Sequence, residues 1–392
     1  MKWMEDELAL LAGASLERSL RDTVPVPGRA GYAVRGERRL LNLSSNDYLG
    51  LSQHPAILEA IRQSLPAEGG GAGASRLVTG NRSPYSRLEE ALAAWQNREA
   101  ALVFANGYMA NCGVIQAVVG RGDAVFSDRL NHASIVDGIV LSRAEHARYR
   151  HNDMEHLRQL LHKHRDKRRK LIVTDAVFSM DGDRAPLREL VELKREYGAN
   201  LMVDEAHSGG IYGERGEGLC SELGLGDEVD IHMGTFSKSF GVYGAYVCGS
   251  RTLIRWLVNK ARPLIYSTAL PPSILAGIST ALELVQTERW RRDKLVASCL
   301  LFRSSLSAAG FHVGHGDSPI VPVIIGDNDR ALRFSEALEE NGIAAVAIRP
   351  PTVPDGTARI RFSLSADHSE AELTDAVSVI CRLGLEFGVL NR

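Results

Sequence analysis

The sequence lacks any paired cysteine pattern. Its 5 cysteines stand far apart, at positions 112, 220, 248, 299 and 381, and none forms a Cys-x-x-Cys pair. Such spacing argues against a disulfide framework and against a structural zinc site. We therefore expect no metal, and we interpret the cysteines as small core residues.

Long apolar runs and an excess of one charge are also missing. No run approaches the ~20 apolar residues that span a bilayer, and a net charge of -2 creates no field that would attract nucleic acid or an anionic membrane. Glu5, Asp6 and Glu7 precede the first short apolar stretch, which is the wrong charge order for a secretory signal. The expectation is a cytoplasmic protein with neither nucleic-acid nor membrane partners.

The size and the order of elements favour an α/β protein of two domains. At 392 residues, of which 44% are hydrophobic, the chain can bury a sizeable core. Between residues 100 and 247, strand-like and helix-like segments alternate, which predicts a mostly parallel central sheet with helices on both faces. We expect an N-terminal arm over residues 1–50, a large domain over 51–285 and a smaller C-terminal α+β domain over 286–392.

The segment that draws most attention is Thr235-Phe236-Ser237-Lys238-Ser239-Phe240-Gly241, directly after the apolar run 229–233. A lysine among hydroxyl groups at the end of a strand stands where α/β sheets carry functional loops. Most lysines are solvated and Ser/Gly clusters mark turns, so on this segment alone a plain surface turn is an equal alternative.

A second strand end shifts the balance. Asp204 and His207 follow the β-type run Leu201-Met202-Val203. A lysine that can form a Schiff base, a carboxylate that can keep a pyridine nitrogen protonated, and hydroxyls that can bind phosphate are together what pyridoxal phosphate (PLP) requires.

Two interpretations as a nucleotide-binding protein fail, because the sequence lacks the neighbouring features that each motif requires. Residues 204–207 also read as the DEAH box of an ATP-driven helicase, but that class needs a phosphate-binding loop with a Gly-Lys pair, and the chain has none. Residues 69–76 match a glycine-rich dinucleotide fingerprint superficially, yet a predicted helix rather than a strand precedes them.

Several further polar positions allow a structural and a functional interpretation. Asn106-Gly107-Tyr108 opens a predicted helix, which suits either a phosphate or an ordinary N-cap. His132 begins another helix, where it either makes a structural hydrogen bond or stacks on a flat cofactor. For Arg21 a solvated surface charge is the simpler interpretation, and the basic, histidine-rich segment 151–170 is typical of a solvated helical face.

With these motifs in place the chain resembles the α-oxoamine synthases, a family within the fold-type I PLP-dependent transferases. The resemblance runs almost end to end. The motifs that carry it are the turn Ser44–Gly50, Asp204-Glu205-Ala206-His207, Thr235-Phe236-Ser237-Lys238 and Tyr266-Ser267-Thr268.

The resemblance implies roles for individual residues. Lys238 would hold the cofactor covalently, Asp204 would pair with the ring nitrogen, His132 would stack on the ring, and His207 would hydrogen-bond the ring oxygen; these four would be catalytic. The cofactor residues it implies are Gly107, Tyr108, His132, Ser179, Asp204, His207, Thr235, Lys238, Ser267 and Thr268. The substrate residues it implies are Arg21, Asn46, His132, Thr352 and Arg361, with Arg361 on the amino-acid carboxylate. A homodimer is implied as well, with its active site at the interface and Ser267 and Thr268 supplied by the partner subunit.

The C-terminal motifs narrow the implied substrates. Segments 348–354 and 356–361 most resemble family members that condense L-alanine with pimeloyl-CoA, or with a pimeloyl-carrier protein. Relatives that join glycine or serine to other acyl-CoAs, glycine C-acetyltransferase among them, remain the alternative. Two positions depart from the family pattern, Asp175 in place of Glu and Tyr85 in place of His, and neither is expected to touch the core chemistry.

Overall fold

The computed structural model describes residues 1–390. Its strands are β1 (Val24–Val26), β2 (Arg29–Arg35), β3 (Arg38–Asn42), β4 (Ala100–Phe104), β5 (Ala124–Asp128), β6 (Glu145–Tyr149), β7 (Lys170–Asp175), β8 (Asn200–Asp204), β9 (Ile231–Thr235), β10 (Ala245–Gly249), β11 (Ile320–Gly326), β12 (Ile343–Ala344), β13 (Val346–Ile348) and β14 (Ala358–Ser363). Its α-helices are α1 (Lys2–Gly13), α2 (Pro55–Glu68), α3 (Ser83–Trp95), α4 (Gly107–Val118), α5 (Ala133–Ser142), α6 (Met154–Lys163), α7 (Leu187–Tyr197), α8 (Leu219–Glu222), α9 (Arg251–Lys260), α10 (Arg262–Ile265), α11 (Pro272–Thr287), α12 (Arg289–Ala308), α13 (Asn328–Glu340) and α14 (Glu370–Glu386).

The chain divides into two compact units. The large unit comprises residues 54–178 and 184–292, and the small unit comprises residues 1–53, 179–183 and 293–392. This division differs from the expected one at the N-terminus, because the residues expected to form an arm belong to the same unit as the C-terminal segment. The physical link is a parallel strand pair, in which Leu41 of β3 lies beside Ile343 of β12.

The large unit is built on a seven-stranded sheet of order β4-β10-β9-β8-β7-β5-β6. The five strands β9, β8, β7, β5 and β6 run parallel to one another, while β10 is antiparallel to both β4 and β9. Every residue of β5, β9 and β10 is buried. Because successive side chains point to opposite faces, a fully buried strand must be covered on both sides of the sheet. The predicted mostly parallel, doubly covered sheet is confirmed.

One edge of this sheet gathers the polar strand ends. The final residues of β7, β8 and β9 are Asp175, Asp204 and Thr235, and Asp175 is the register partner of Asp204. Since parallel strands end at the same edge, these side chains come together there. The connection from β9 to β10, residues 236–244, closes the adjacent hairpin and carries Lys238.

The small unit contains two further sheets. One has the order β1-β2-β3-β12 and the other the order β11-β14-β13. The segment expected to form an arm begins with α1, and its strands β1 and β2 pair into a sheet. Residues 272–308 form two helices rather than one, because α11 ends at Thr287 and Glu288 leaves the helical conformation.

The cysteines lie mostly in the interior. Cys112, Cys220, Cys248 and Cys299 are buried, Cys381 is half-buried, and all five are unpaired. Within residues 1–390, no helix has the length and apolar character needed to cross a membrane.

We predict that Gly234→Ala destabilises the protein. Gly234 faces Tyr246 across the β9–β10 pair, and a Cβ at this glycine would lie 2.4 Å from the tyrosine ring. Overpacking of this kind costs roughly 1–3 kcal/mol, so we expect a melting temperature several degrees lower. In Gly226→Ala, the matched control, the new methyl group would meet no atom within 4 Å. Equal melting temperatures for the two variants would contradict the packing argument.

Candidate active site

A cavity of about 330 Å³ opens in the large unit at the carboxyl edge of its sheet. Its lining combines strand ends, the first turn of α4, the start of α5 and the β9–β10 hairpin. The lining residues are Asn106, Gly107, Tyr108, Asn111, His132, Ser134, Asp175, Asp204, Ala206, His207, Met233, Thr235, Ser237, Lys238 and Tyr243. The volume lies in the range of small-ligand and cofactor sites.

The lysine loop is held rigidly at the end of the hairpin. The backbone N–H of Phe236 donates to the carbonyl of Gly244 at 2.9 Å, and the Gly241 N–H donates to the Lys238 carbonyl at 2.9 Å. The Thr235 hydroxyl donates to the same Gly244 carbonyl at 2.8 Å. Gly244 adopts φ +139°, which only glycine tolerates easily. Lys238 therefore projects into the cavity from a well-fixed turn.

Asp204 is buried and oriented by two donors. The Asn111 amide donates to Oδ2 of Asp204 at 2.8 Å, and the Ala206 N–H donates to Oδ1 at 2.9 Å. The same Asn111 amide also donates to the Ser134 hydroxyl at 2.9 Å. Hydrogen bonds to a carboxylate favour its charged form, so this aspartate is suited to face a cationic partner.

His132 and Asp175 lie beside this carboxylate. The His132 backbone N–H donates to Oδ2 of Asp175 at 2.8 Å, and the imidazole Nδ1 lies 2.7 Å from the Ser134 hydroxyl. Desolvation by the cavity walls, with Lys238 adding to it, lowers the pKa of His132 against the opposing effect of Asp204. A neutral ring is thus favoured at the cavity wall, which suits stacking on a flat ligand.

The α4 end of the cavity offers backbone donors. Asn106 caps the helix by accepting the Met109 N–H at 2.9 Å, and Gly107 and Tyr108 form the first turn. The Tyr108 hydroxyl donates to Asp137, and this hydrogen bond raises the pKa of Tyr108 to about 12. The N-cap interpretation and the phosphate interpretation of this segment are therefore compatible, because the cap uses the third N–H of the turn.

The two other polar side chains of the Asp-Glu-Ala-His motif, those of Glu205 and His207, point in different directions. His207, with 5% of its surface exposed, lines the cavity. Glu205 is not among the lining residues, and its Oε1 accepts the backbone N–H of Cys220 at 3.0 Å. The motif thus contributes Asp204, Ala206 and His207 to the cavity and uses Glu205 in the supporting structure.

The small unit contains a second candidate group around Arg361. Its guanidinium donates to the Ser179 carbonyl at 2.5 Å, the Ser363 hydroxyl at 2.7 Å and the Asn46 side-chain oxygen at 3.1 Å. Arg361 is 7% exposed, and these acceptors are all uncharged. A buried cation surrounded by neutral acceptors is favourable for an anionic ligand. Neighbouring Arg359, by contrast, forms an ion pair with Asp181 at 2.5 Å.

Other residues implied by the resemblance lie elsewhere. Arg21 pairs with Glu339 at 3.1 Å, and Thr352 accepts a hydrogen bond from Arg18 at 3.3 Å. Ser267 and Thr268 line a separate small hollow in the large unit rather than the lysine cavity. Within one chain the structure gathers the cofactor residues other than Ser179, Ser267 and Thr268. It separately gathers Asn46, Ser179 and Arg361.

The sequence interpretation missed three cavity residues. Asn111 lies one helical turn after Gly107 on α4, and a polar residue on that apolar face is a signal that was available. Ser134 and Tyr243 follow their recognised neighbours by a few positions. Asp175 also lines the cavity, because its register places it beside Asp204. Tyr85 is 1% exposed and its hydroxyl accepts the Leu270 N–H at 2.8 Å.

Comparison with known proteins identifies the class. Residues 38–380 match the model of the class I and II aminotransferase family, and the chain belongs to that family. A relative from Geobacillus kaustophilus, 55% identical over 90% of each chain, is named "putative 8-amino-7-oxononanoate synthase". A relative from Halalkalibacterium halodurans with the same name is 52% identical over 94% of this chain and 93% of its own.

Solved structures agree with this placement. A structure of SPT with PLP as an internal aldimine matches with a TM-score of 0.93 and 32% identity, covering 99% of this chain and 98% of that one. The 8-amino-7-oxononanoate synthase of Francisella tularensis matches with a TM-score of 0.78 and 28% identity, covering 90% of this chain and 99% of that one. The fold-type I transferase fold and the resemblance to the α-oxoamine synthases are confirmed.

We predict that Asp175→Asn makes the cofactor-free protein increasingly more stable than wild type as the pH rises. Burial, and then the charge of Asp204, raise the pKa of Asp175 well above its usual range. A carboxyl whose folded pKa is raised contributes stability below its unfolded pKa and loses it as pH rises through the folded value. Asparagine stays neutral and can still accept the His132 N–H.

The measurement is the melting temperature of the cofactor-free variant and wild type from about pH 5 to 8. The variant's advantage should grow with pH. Asp329→Asn is the control, since Asp329 is an exposed side chain in the other unit. Parallel curves for Asp175→Asn and wild type would show that Asp175 is ionised throughout.

Proposed function

We propose that this protein is a PLP-dependent acyltransferase that condenses L-alanine with a pimeloyl thioester, releasing carbon dioxide and the thiol carrier and forming 8-amino-7-oxononanoate for biotin synthesis. The observation that carries the proposal is the convergence of Lys238 and the doubly hydrogen-bonded Asp204 on one cavity. The names of the relatives supply the substrates. The acyl carrier is CoA or a carrier protein.

The residues around the cavity fit PLP in chemistry and size. Lys238 supplies the amine for the aldehyde, and Asp204 supplies the carboxylate for the ring nitrogen. The first turn of α4, at Gly107 and Tyr108, offers backbone N–H groups for the phosphate, as helix N-termini commonly do. Thr235 stands close by, since a Cβ at Gly107 would lie 3.8 Å from the threonine Cβ. The His132 ring offers a flat stacking face.

The bound cofactor would supply an electron sink for the carbanion that forms at the alanine Cα. The protein's own part is proton handling and orientation. Once released from the aldehyde carbon, Lys238 Nζ would remove the Cα proton and later return one. An ordinary lysine, with pKa near 10.4, is a weak base at neutral pH, so the cavity must favour its neutral form. Asp204 would keep its charge facing the ring nitrogen, and His207 would hydrogen-bond the ring oxygen.

Arg361 would bind the amino-acid carboxylate. Its planar guanidinium can hold two oxygens at once, and it stays charged at any working pH. Asn46 and Ser179 already fix its orientation by accepting two of its N–H groups. Arg21 and Thr352 remain proposed substrate residues, and Arg21 would have to exchange Glu339 for substrate to act as one.

A homodimer would complete the site. Ser267 and Thr268 lie outside the lysine cavity of their own chain, so a second copy would have to deliver them to the phosphate. Exposed apolar side chains in the large unit support a buried interface: Tyr108 is 49% and Tyr243 51% exposed at the cavity itself, and Tyr266 is 72% exposed beside Ser267. Exposed aromatic groups of this kind commonly mark interfaces.

We predict that Lys238→Ala abolishes turnover while the protein still folds. Removing the covalent anchor and the proton carrier together should lower kcat roughly 100-fold or more. The measurement is CoA release from pimeloyl-CoA in the presence of alanine, with circular dichroism to check folding. Lys163→Ala, an exposed lysine on α6, is the control. Steady-state activity retained by Lys238→Ala would contradict the assignment.

We predict that Arg361→Lys raises the KM for alanine more than it lowers kcat. Lysine keeps the charge but loses the two-pronged geometry, and charge-assisted hydrogen bonds contribute roughly 1.5–3 kcal/mol each, which corresponds to about a 10- to 100-fold change. Initial rates against alanine, glycine and serine measure the effect and also identify the preferred amino acid. Arg333→Lys, at an exposed ion pair on α13, should behave as wild type. An unchanged KM in Arg361→Lys would refute the carboxylate role.

A further inference from the structure

A second group of reactive side chains lies buried in the large unit, outside the lysine cavity. Glu205 follows β8, Cys220 belongs to α8, and His232 belongs to β9. They are 2%, 0% and 2% exposed, and a carboxylate oxygen, the thiol sulfur and an imidazole nitrogen all lie within 4.8 Å of one another. The proposed reaction uses none of the three.

The imidazole leaves one nitrogen unsatisfied. Nε2 of His232 lies 2.9 Å from the Gly226 carbonyl, so this nitrogen must carry a proton and donate it. Nδ1 is buried and has no hydrogen-bond partner; it faces Oε2 of Glu205 at 3.6 Å. In a neutral ring, Nδ1 presents a lone pair to a buried carboxylate oxygen. That arrangement is unfavourable unless a proton or a metal cation lies between the two atoms.

The spacing of the imidazole nitrogen and the carboxylate oxygen matches that of two ligands of a tetrahedral metal ion. Ligands of Zn²⁺ at ordinary bond lengths lie about 3.3 to 3.6 Å apart, which agrees with the 3.6 Å between Nδ1 and Oε2. Metal-bound imidazoles usually donate their other N–H to a carbonyl, as His232 does to Gly226. The carboxylate is also fixed, because Oε1 accepts the Cys220 N–H at 3.0 Å and the Ser208 hydroxyl at 3.3 Å.

The backbone closes tightly over this carboxylate. Gly218 adopts φ +127°, and a Cβ there would lie 2.4 Å from Oε1 of Glu205. The loop between β8 and α8 therefore packs directly against the Glu205 carboxylate.

We propose that Glu205, Cys220 and His232 bind a structural Zn²⁺ ion. Zn²⁺ is favoured because imidazole nitrogen, thiolate sulfur and carboxylate oxygen form a mixed set that suits this ion. Binding replaces the Cys220 S–H bond by a sulfur–zinc bond and releases the proton to solvent. The ion would tie the residue after Asp204 to the strand that leads into the Lys238 hairpin, and so brace both cofactor residues.

The first test uses wild-type protein made without a histidine tag. Elemental analysis should find about one zinc per chain. After the zinc is removed with a chelator, added Co²⁺ should bind in its place and produce a thiolate-to-cobalt absorption band. Zinc far below stoichiometric amounts, together with absence of the cobalt–thiolate band, would overturn the proposal without any variant.

The second test assigns the ligands. Cys220→Ser and His232→Gln should each weaken Zn²⁺ binding at least tenfold, measured by competition with a chromophoric chelator. The matched controls are Cys299→Ser, a buried thiol in the small unit, and His146→Gln, a half-buried imidazole bonded to Ser127 at 2.7 Å. Zinc binding that is unchanged in Cys220→Ser and His232→Gln would place the ion elsewhere and refute the assignment.

Discussion

The constraint on which the site depends is a carboxylate that has to stay charged inside the protein. Asp204 is 3% exposed, and an isolated buried carboxylate would take up a proton. Asn111 and the Ala206 backbone each donate a hydrogen bond to one of its oxygens. Asp175, its neighbour in the adjacent strand, is also buried, and its burial beside Asp204 raises its pKa. The site therefore depends on the donors that surround Asp204.

The sheet turns this local arrangement into a site. Parallel strands β7, β8 and β9 end at one edge, and the antiparallel β10 returns from it, so a short hairpin places Lys238 beside the ends of its neighbours. The helices that follow the strands contribute Gly107, the first residue of α4, and His132, the N-cap of α5. The topology of the sheet therefore brings the reactive side chains together at this edge. The proposed zinc ion would link β8 and β9 through Glu205 and His232.

Much of this could be predicted from the sequence, for identifiable reasons. Lys238, Asp204 and His207 follow apolar runs short enough to be strands, and helix starts at Gly107 and His132 have recognisable caps. Alternating elements were enough to predict the sheet. What escaped prediction depends on long-range pairing. The joining of β3 to β12 places the N-terminal residues in the small unit, and the register of β7 against β8 places Asp175 beside Asp204.

The direction in which side chains point was the other feature that the sequence could not predict. No local pattern distinguishes Glu205, which faces Cys220, from Asp204 and His207, which face the cavity, because the three differ only in where the chain turns after β8. Similarly, Asn111 could be assigned to a helix but not to a partner. Widely spaced cysteines gave no hint that Cys220 lies within 4.8 Å of ligand atoms of Glu205 and His232.

The most direct test of the central claim is borohydride reduction of the PLP-loaded protein followed by peptide mapping. If Lys238 is the amine that binds the cofactor covalently, the reduced label should be found on the peptide that contains Lys238, and the visible absorbance of the protein should disappear with it. A label on another lysine, or no label at all, would contradict the account.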